Sequence, residues 1–439
     1  MKSKIQAISS FLTERKERLK PEEANELNLK RIEKINFSGQ IHLVENKPTK
    51  TGMIVVKKGD LVISGINVAK GALAVYEGDE DVVATIHYSS YSFDKEKIDI
   101  NFLKWFLKSP AFVDALEEQT GGGIKTEIKA KKFLSLKIPI PTLDEQKKIE
   151  SNLNKFEEKY NKVSEELRTQ SELINKLRSS ILSDAVSGKL VPQDSNDESA
   201  EVLLEKIKAE KEKLIKEGKI KKQKPLPPIS EDEIPYELPD GWVWCRFEEV
   251  ANLITDGTHQ TPTYTDNGKL FVSAKNVNPF QFMPEYNAKY VSENDYEVYI
   301  KDRKPELKDI LLTRVGSNIG QAAVIDQNID FAIYVSVALI KLNHEYLSSE
   351  YFAIWLNSPI GTQSSISNIL GRGVSQGNLN LNFIRSFLVP LAPLEEQKRI
   401  VEKVEKLMAT CDTLELEVQN SKTETEKLMQ SVLKEAFEK

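Results

Sequence analysis

The sequence predicts an α+β chain in which two α/β globules are separated by two long antiparallel coiled-coil helices, with an internal pseudo-two-fold repeat. Three observations carry this expectation. The segment Ile138-Pro139-Ile140-Pro141-Thr142-Leu143-Asp144-Glu145-Gln146-Lys147-Lys148-Ile149 returns as Val389-Pro390-Leu391-Ala392-Pro393-Leu394-Glu395-Glu396-Gln397-Lys398-Arg399-Ile400, 251 positions further on. Each copy closes a stretch of short β-type runs and opens one with a heptad pattern. Ser109-Pro110 and Ser358-Pro359 repeat at an offset of 249, so the duplication includes the globules as well as the helices.

The elements follow in order. The first globule, residues 1–140, carries the β-type runs Gly52-Met53-Ile54-Val55-Val56, Leu61-Val62-Ile63, Ala72-Leu73-Ala74-Val75-Tyr76 and Val82-Val83-Ala84-Thr85-Ile86, punctuated by Gly and Asp turns. A helix from Asn101 to Glu118 follows them. The first long helix, within 141–190, starts at a capping box of Thr142 and Glu145. Its apolar positions Ile149, Leu153, Phe156, Tyr160, Val163, Leu167, Ile174, Leu177 and Ile181 alternate spacings of four and three, skipping Gln170. Residues 191–235 read as a linker: a charged amphipathic helix from Ala200 to Glu217, a basic cluster from Lys219 to Lys224, and Pro225-Leu226-Pro227-Pro228.

The second globule, residues 236–391, repeats the order with Asp309-Ile310-Leu311-Leu312-Thr313, Ala322-Ala323-Val324-Ile325, Phe331 to Leu342 and a helix from Ser348 to Asn357. The second long helix, 392–439, carries Ile400, Val404, Leu407, Cys411, Leu414, Val418, Leu428 and Val432, and its polar Ser421 aligns with Gln170. The expected seam therefore comprises Leu153, Phe156, Tyr160, Val163 and Leu167 on the first helix and Val404, Leu407, Cys411, Leu414 and Val418 on the second. Each helix of roughly 40 residues would measure about 60 Å.

Composition bounds the function. A chain of 439 residues with 40% hydrophobic content has room for two cores. The net charge of −6 argues against a simple nucleic-acid coat, because such proteins neutralise phosphates with excess Lys and Arg. The excess is uneven: residues 1–138 are basic by about four charges and 239–389 acidic by a similar margin. Cys245 and Cys411 suggest neither a disulfide framework nor a metal cluster, which fits a reducing cytoplasm. No run approaches the roughly 20 apolar residues of a membrane span, and no signal stretch opens the chain.

A search for chemistry returns recognition rather than catalysis. Asn278-Pro279-Phe280 lacks the second proline of a methyltransferase loop, and no Gly-x-Gly-x-x-Gly opens a helix. Glu145-Gln146-Lys147 and Glu396-Gln397-Lys398 suit helix starts better than half of a metal-nuclease signature. His42, His87, His259 and His344 have no metal spacing. No catalytic residue and no metal ligand is expected.

What remains are loops of small, amide and basic residues. In the second globule these are Asp256-Gly257-Thr258-His259-Gln260-Thr261-Pro262, Thr313-Arg314-Val315-Gly316-Ser317-Asn318-Ile319-Gly320 and Gly371-Arg372-Gly373-Val374-Ser375-Gln376, with Lys275 and Asn276 as further candidates. Their counterparts in the first are Ser64, Asn67 and Lys70 in the loop 64–71, and Lys125, followed by Lys129, Lys131 and Lys132. Arg chelates guanine, Asn and Gln chelate adenine, and Gly with Ser lets backbone amides approach phosphate. The same composition also serves ordinary turns.

Leu238-Pro239-Asp240-Gly241-Trp242-Val243-Trp244, the three polar loops of the second globule and the Pro-Leu-x-Glu-Gln helix start together resemble the specificity subunit of type I restriction-modification systems. The resemblance covers essentially the whole chain. It implies a non-catalytic subunit with two target-recognition domains, each reading one half of a bipartite, asymmetric double-stranded DNA target. The long helices would act as a ruler for the unread spacer and dock two methylation subunits, with restriction subunits joining the full complex. S-adenosylmethionine, Mg²⁺ and ATP would belong to those partners, and none to this chain. One departure stands out: the first globule lacks the Leu-Pro-x-Gly-Trp opening and the Gly-Thr-His-x-Thr-Pro loop. A coiled-coil adaptor that reads no bases is the alternative.

Overall fold

Each globule is built on short strands of aliphatic residues that are buried along most of their length, so the sheets lie inside rather than on the surface. The fold is taken from a computed structural model, which describes residues 3–37, 39–45, 47–120, 128–367, 369–370 and 377–437. By internal contacts the chain forms two compact units, Met1–Gln170 with Glu417–Lys439, and Ser171–Leu416.

The first unit holds an antiparallel four-stranded sheet in the order Leu12–Glu14, Tyr88–Phe93, Leu61–Ser64, Leu73–Val75. The second unit holds the same sheet: Ala251–Asp256, Val337–Leu342, Ile310–Thr313, Ala322–Val324. The pairings agree residue by residue. Tyr88 faces Ser64 and Leu61 faces Val75, while Val337 faces Thr313 and Ile310 faces Val324, every member displaced by 249. A slip of one residue would turn every side chain to the opposite face, so shared register means shared core.

Behind each sheet lies a helix, Ile100–Leu107 in one unit and Ser349–Asn357 in the other. Their aromatic faces, with Phe102, Trp105 and Phe106 in one and Tyr351, Phe352 and Trp355 in the other, are buried. The helix expected from Asn101 to Glu118 is in fact two, Ile100–Leu107 and Pro110–Thr120. Proline disfavours helical backbone at the residue before it, so the first helix stops at Ser109-Pro110. Ser109 Oγ then donates to the Phe106 carbonyl at 2.7 Å, and Ser358 Oγ to the Trp355 carbonyl at 2.7 Å.

The peripheral sheets have diverged. The first unit has five strands in the order Arg18–Leu19, Met53–Val56, Val82–Thr85, Arg31–Ile35, Ile41–Val44. The second has the three strands Tyr290–Val291, Lys269–Val272 and Phe331–Ile333 and a separate small hairpin of Val277–Asn278 with Gln281–Phe282, with the helix Glu293–Ile300 packed beside Phe331–Ile333.

The long helices run Leu143–Val186 and Leu394–Phe437, and they are antiparallel. In the first unit Ile149 and Leu153 share a core with Leu433 and Phe437. In the second, Arg178 Nη2 reaches Asp412 at 2.6 Å and Glu415 at 3.0 Å. The seam is narrower than the heptads predict. Leu153, Leu167, Val404, Cys411 and Val418 are buried and Phe156, Tyr160 and Leu407 half-buried, but Val163 is 41% and Leu414 39% exposed. Along the middle of each helix one column per heptad is covered, because a helix with a single helical neighbour buries a narrow stripe. The charged helix of the expected linker, Ala200–Lys216, is packed rather than free: it buries Leu203, Leu204 and Ile207. Lys211 Nζ donates to the carbonyls of Glu248 and Ala251, and burial lowers its pKa.

A buried acid opens each sheet. Burial pushes the Asp60 carboxyl up, but the Arg15 guanidinium, the Lys57 amide and the Ser90 hydroxyl outweigh it and hold the group below its ordinary value. A depressed folded pKa stabilises the fold above the unfolded value, and that contribution disappears as pH falls through the folded one. Stability from Asp60 should therefore be lost only below about pH 4. Acid titration of the unfolding free energy checks this, with Asp60→Asn expected to flatten the slope there. At the matching position burial dominates and raises Asp309 despite Lys341 Nζ at 2.6 Å.

Candidate nucleic-acid interface

Three loop segments meet at one end of the second unit's sheet, and Arg314 ties them together. Its Nη1 lies 2.5 Å from Asp256 Oδ2 and 3.1 Å from the Val335 carbonyl. Nε donates to the Leu379 carbonyl at 2.9 Å and Nη2 to Asn378 Oδ1 at 3.0 Å. The residue is only 5% exposed. Asp256, itself buried, also meets His259 Nε2 at 3.1 Å. Arg303 Nη1 holds the carbonyls of Asp256 and Gly257, each at 3.0 Å. A Cβ on Gly257 would stand 2.0 Å from the Ile333 carbonyl oxygen, so glycine is required by close approach.

This geometry corrects several sequence expectations. With four of its five N–H groups engaged inside the protein, Arg314 lacks the pair of donors that chelates a guanine; it is a brace. Thr258 is buried, and its Oγ1 accepts the Gln260 amide at 3.2 Å. Asn276 is buried and donates to the carbonyls of Met283 at 3.0 Å and Tyr286 at 2.9 Å. Ser64 is buried at the end of its strand. For Arg314, Thr258 and Asn276 the side-chain polar groups are engaged with loop backbone, as burial demands.

Other candidates do face solvent. The His259 side chain is 70% exposed, and Gln260, Thr261, Lys275, Ser317 and Asn318 are exposed. In the first unit Lys70, Lys129, Lys131 and Lys132 are exposed and Asn67 is half-buried. Arg372, Ser375, Gln376 and Lys125 lie outside the described residues.

Both units join the corresponding loops by the same bond. The Ile128 amide donates to the Gly65 carbonyl at 2.9 Å, and the Leu379 amide to the Arg314 carbonyl at 2.8 Å. Gly65 thus occupies the place of Arg314, and a glycine has no side chain to brace the loops.

The model of the type I restriction modification DNA specificity domain matches residues 16–172 and again 239–421. The chain belongs to this family. Its double match coincides with the repeat. The chain is 27% identical to the specificity subunit of the Escherichia coli type I restriction enzyme EcoAI, over 89% of this chain and 74% of that protein. It is 32% identical to the EcoEI specificity subunit of Escherichia coli, over 58% of this chain and 44% of that one. Among solved structures, a chain from work on the assembly and conformational transition of the type I R-M system superposes with a TM-score of 0.67 at 16% identity, covering 99% of this chain and 97% of that one. The HsdS subunit from Thermoanaerobacter tengcongensis does so at 0.54, also at 16% identity, covering 99% and 96%. At that identity the likeness is one of fold. No helix among the described residues is long and apolar enough to cross a membrane.

Within this family frame, the repeated proline-to-helix segment has a second use that sequence reasoning missed. Gln146 and Gln397 are fully buried. Gln146 Oε1 accepts the Asp99 amide at 2.7 Å while its Nε2 donates to the Pro141 carbonyl at 3.0 Å. Gln397 accepts the Ser348 amide at 3.1 Å and donates to the Ala392 carbonyl at 2.8 Å. Each glutamine clamps the start of a long helix to the N-cap of a core helix. The signal was present: the same amide side chain at the same place in both copies. Gln397→Ala leaves the Ser348 amide and the Ala392 carbonyl unpaired, so unfolding should become easier by about 1–3 kcal/mol, as read by urea denaturation.

The glutamates beside them differ. Glu145 is half-buried and completes the expected capping box, with the Thr142 amide at 3.1 Å. Glu396 is buried, accepts Trp242 Nε1 at 3.0 Å and Gln193 Nε2 at 3.1 Å, and has its pKa raised by burial. The Leu-Pro-x-Gly-Trp opening supplies that tryptophan, and the first globule has no such opening.

Proposed function

We propose that this chain is the DNA-reading subunit of a type I restriction-modification enzyme, with each globule reading one half of a bipartite, asymmetric target. One observation carries the reading: two sheets of identical order and register present loop pairs joined by the same backbone bond, yet the residues on those loops differ. A common frame with unlike loops suits two different short sequences, since base identity is read by side chains while frame and backbone contacts set position. His259, Gln260, Ser317 and Asn318 are exposed candidates for the second half-site, and the exposed Lys70, Lys129 and Lys131 with the half-buried Asn67 for the first.

The long helices fix the spacing between the halves and dock two methylation subunits. Their uncovered apolar column, with Val163 and Leu428 in the first unit and Leu177 and Leu414 in the second, supports this second role. Restriction subunits join that assembly. S-adenosylmethionine, Mg²⁺ and ATP act on those partners, and this chain contributes recognition without catalysis.

Methylome sequencing of the host against a strain lacking this chain tests the reading. A two-part methylated motif should disappear with the chain. Persistence of every motif would overturn it in favour of an adaptor that reads no bases.

A further inference from the structure

The first globule lacks the Gly-Thr-His-x-Thr-Pro loop, and the sheet register identifies what stands there instead. Glu14 opposes Tyr91 as Ile254 opposes Ile340, so two residues further on Lys16 occupies the place of Asp256. Residues 16–22 then fill the position of the loop 256–262. As far as Lys20 the chain is extended: Arg18–Leu19 is a strand paired with Met53 and Ile54, Lys20 keeps extended backbone at φ −70°, ψ 161°, and the helix Pro21–Glu26 follows.

Successive side chains of an extended chain alternate between faces, so Lys16, Arg18 and Lys20 lie on one side, about 6–7 Å apart. All three are exposed. Among the described residues none of them forms an ion pair, whereas the interleaved Arg15 and Glu17 are both engaged, with Asp60 at 2.5 Å and Lys57 at 2.9 Å. The second globule holds a buried carboxylate at the start of this segment and a brace upon it; the first holds an open cation and a glycine.

We propose that Lys16, Arg18 and Lys20 form a phosphate-gripping row through which the first globule holds the DNA backbone. The inference rests on the DNA-reading function proposed above. A regular row of unpaired cations matches a regular row of phosphates, and such contacts act through counterion release without reading bases. The basic excess of residues 1–138, about four charges, has the same sense. The two half-sites would then be held differently, the first by charge and the second by a rigid, internally neutralised loop.

The test uses the full chain assembled with its methylation subunits and a duplex carrying the target that the host methylome defines. Binding is measured across a salt series for the native chain and for the triple variant K16Q/R18Q/K20Q. The slope of log affinity against log salt should become shallower by about 2–3, close to 0.9 for each lost phosphate contact. The loss should be equal on target and scrambled duplexes, and the methylated motif should not change. The single variant K16Q should shift the slope by about 1, which guards against a folding defect in the triple variant.

An unchanged slope in both variants overturns the proposal. So does an altered methylated motif, which would make the row a base reader, or loss of co-purification with the methylation subunits, which would make it a protein contact. If the native complex itself shows no salt-dependent preference for the target duplex, the DNA-reading function fails along with the row.

Discussion

Arg314→Ala lowers the stability of the second globule by about 3–5 kcal/mol, the cost of removing one partner from a buried, hydrogen-bonded ion pair. The Asp256 carboxylate would remain in the interior with only the exposed His259 ring beside it, and the carbonyls of Leu379 and Val335 would lose their donor. Lysine does not rescue the site, because one ammonium cannot span the directions served by the planar guanidinium. Urea unfolding of the full chain reads the loss, and the same variant should leave the first globule's transition in place. A base-reading arginine would behave otherwise: stability within about 0.5 kcal/mol of native and a relaxed sequence preference at one half-site. That second outcome would return Arg314 to the DNA.

Phe437→Ala costs a further class of energy, about 3–5 kcal/mol from a truncated aromatic in a core. The ring sits 5.5 Å from each of Phe102 and Phe106, edge-on to both, at the end of the second long helix. Leu433 lies in the same core one turn earlier. The first globule therefore completes its interior with residues from the far end of the chain, and denaturation of F437A should show its weakening. A loss below about 1 kcal/mol would mean that the final turn is only loosely seated.

Much of this was legible beforehand. The repeat at 251 and 249 positions located both long helices, the capping box at Thr142 and the paired order of sheet and core helix. Such features follow from periodicity and local backbone chemistry, which a chain displays without its partners in space. The loop 64–71 was also matched to 313–320, since the strands that lead into them share one register.

Side-chain roles were less legible. Arg314 and His259 belong to similar polar, glycine-rich loops, yet one is buried and the other open. Gln146 and Gln397 look like solvated helix residues and are clamps. Lys16 acquires meaning only when strand pairing sets it against Asp256. The amino-acid sequence by itself determined the repeat, the helix starts and the family, because these rest on spacing along one chain. Tertiary structure decided which polar groups remain for DNA, because a donor's freedom depends on the carbonyls and carboxylates that distant strands bring within 3 Å of it.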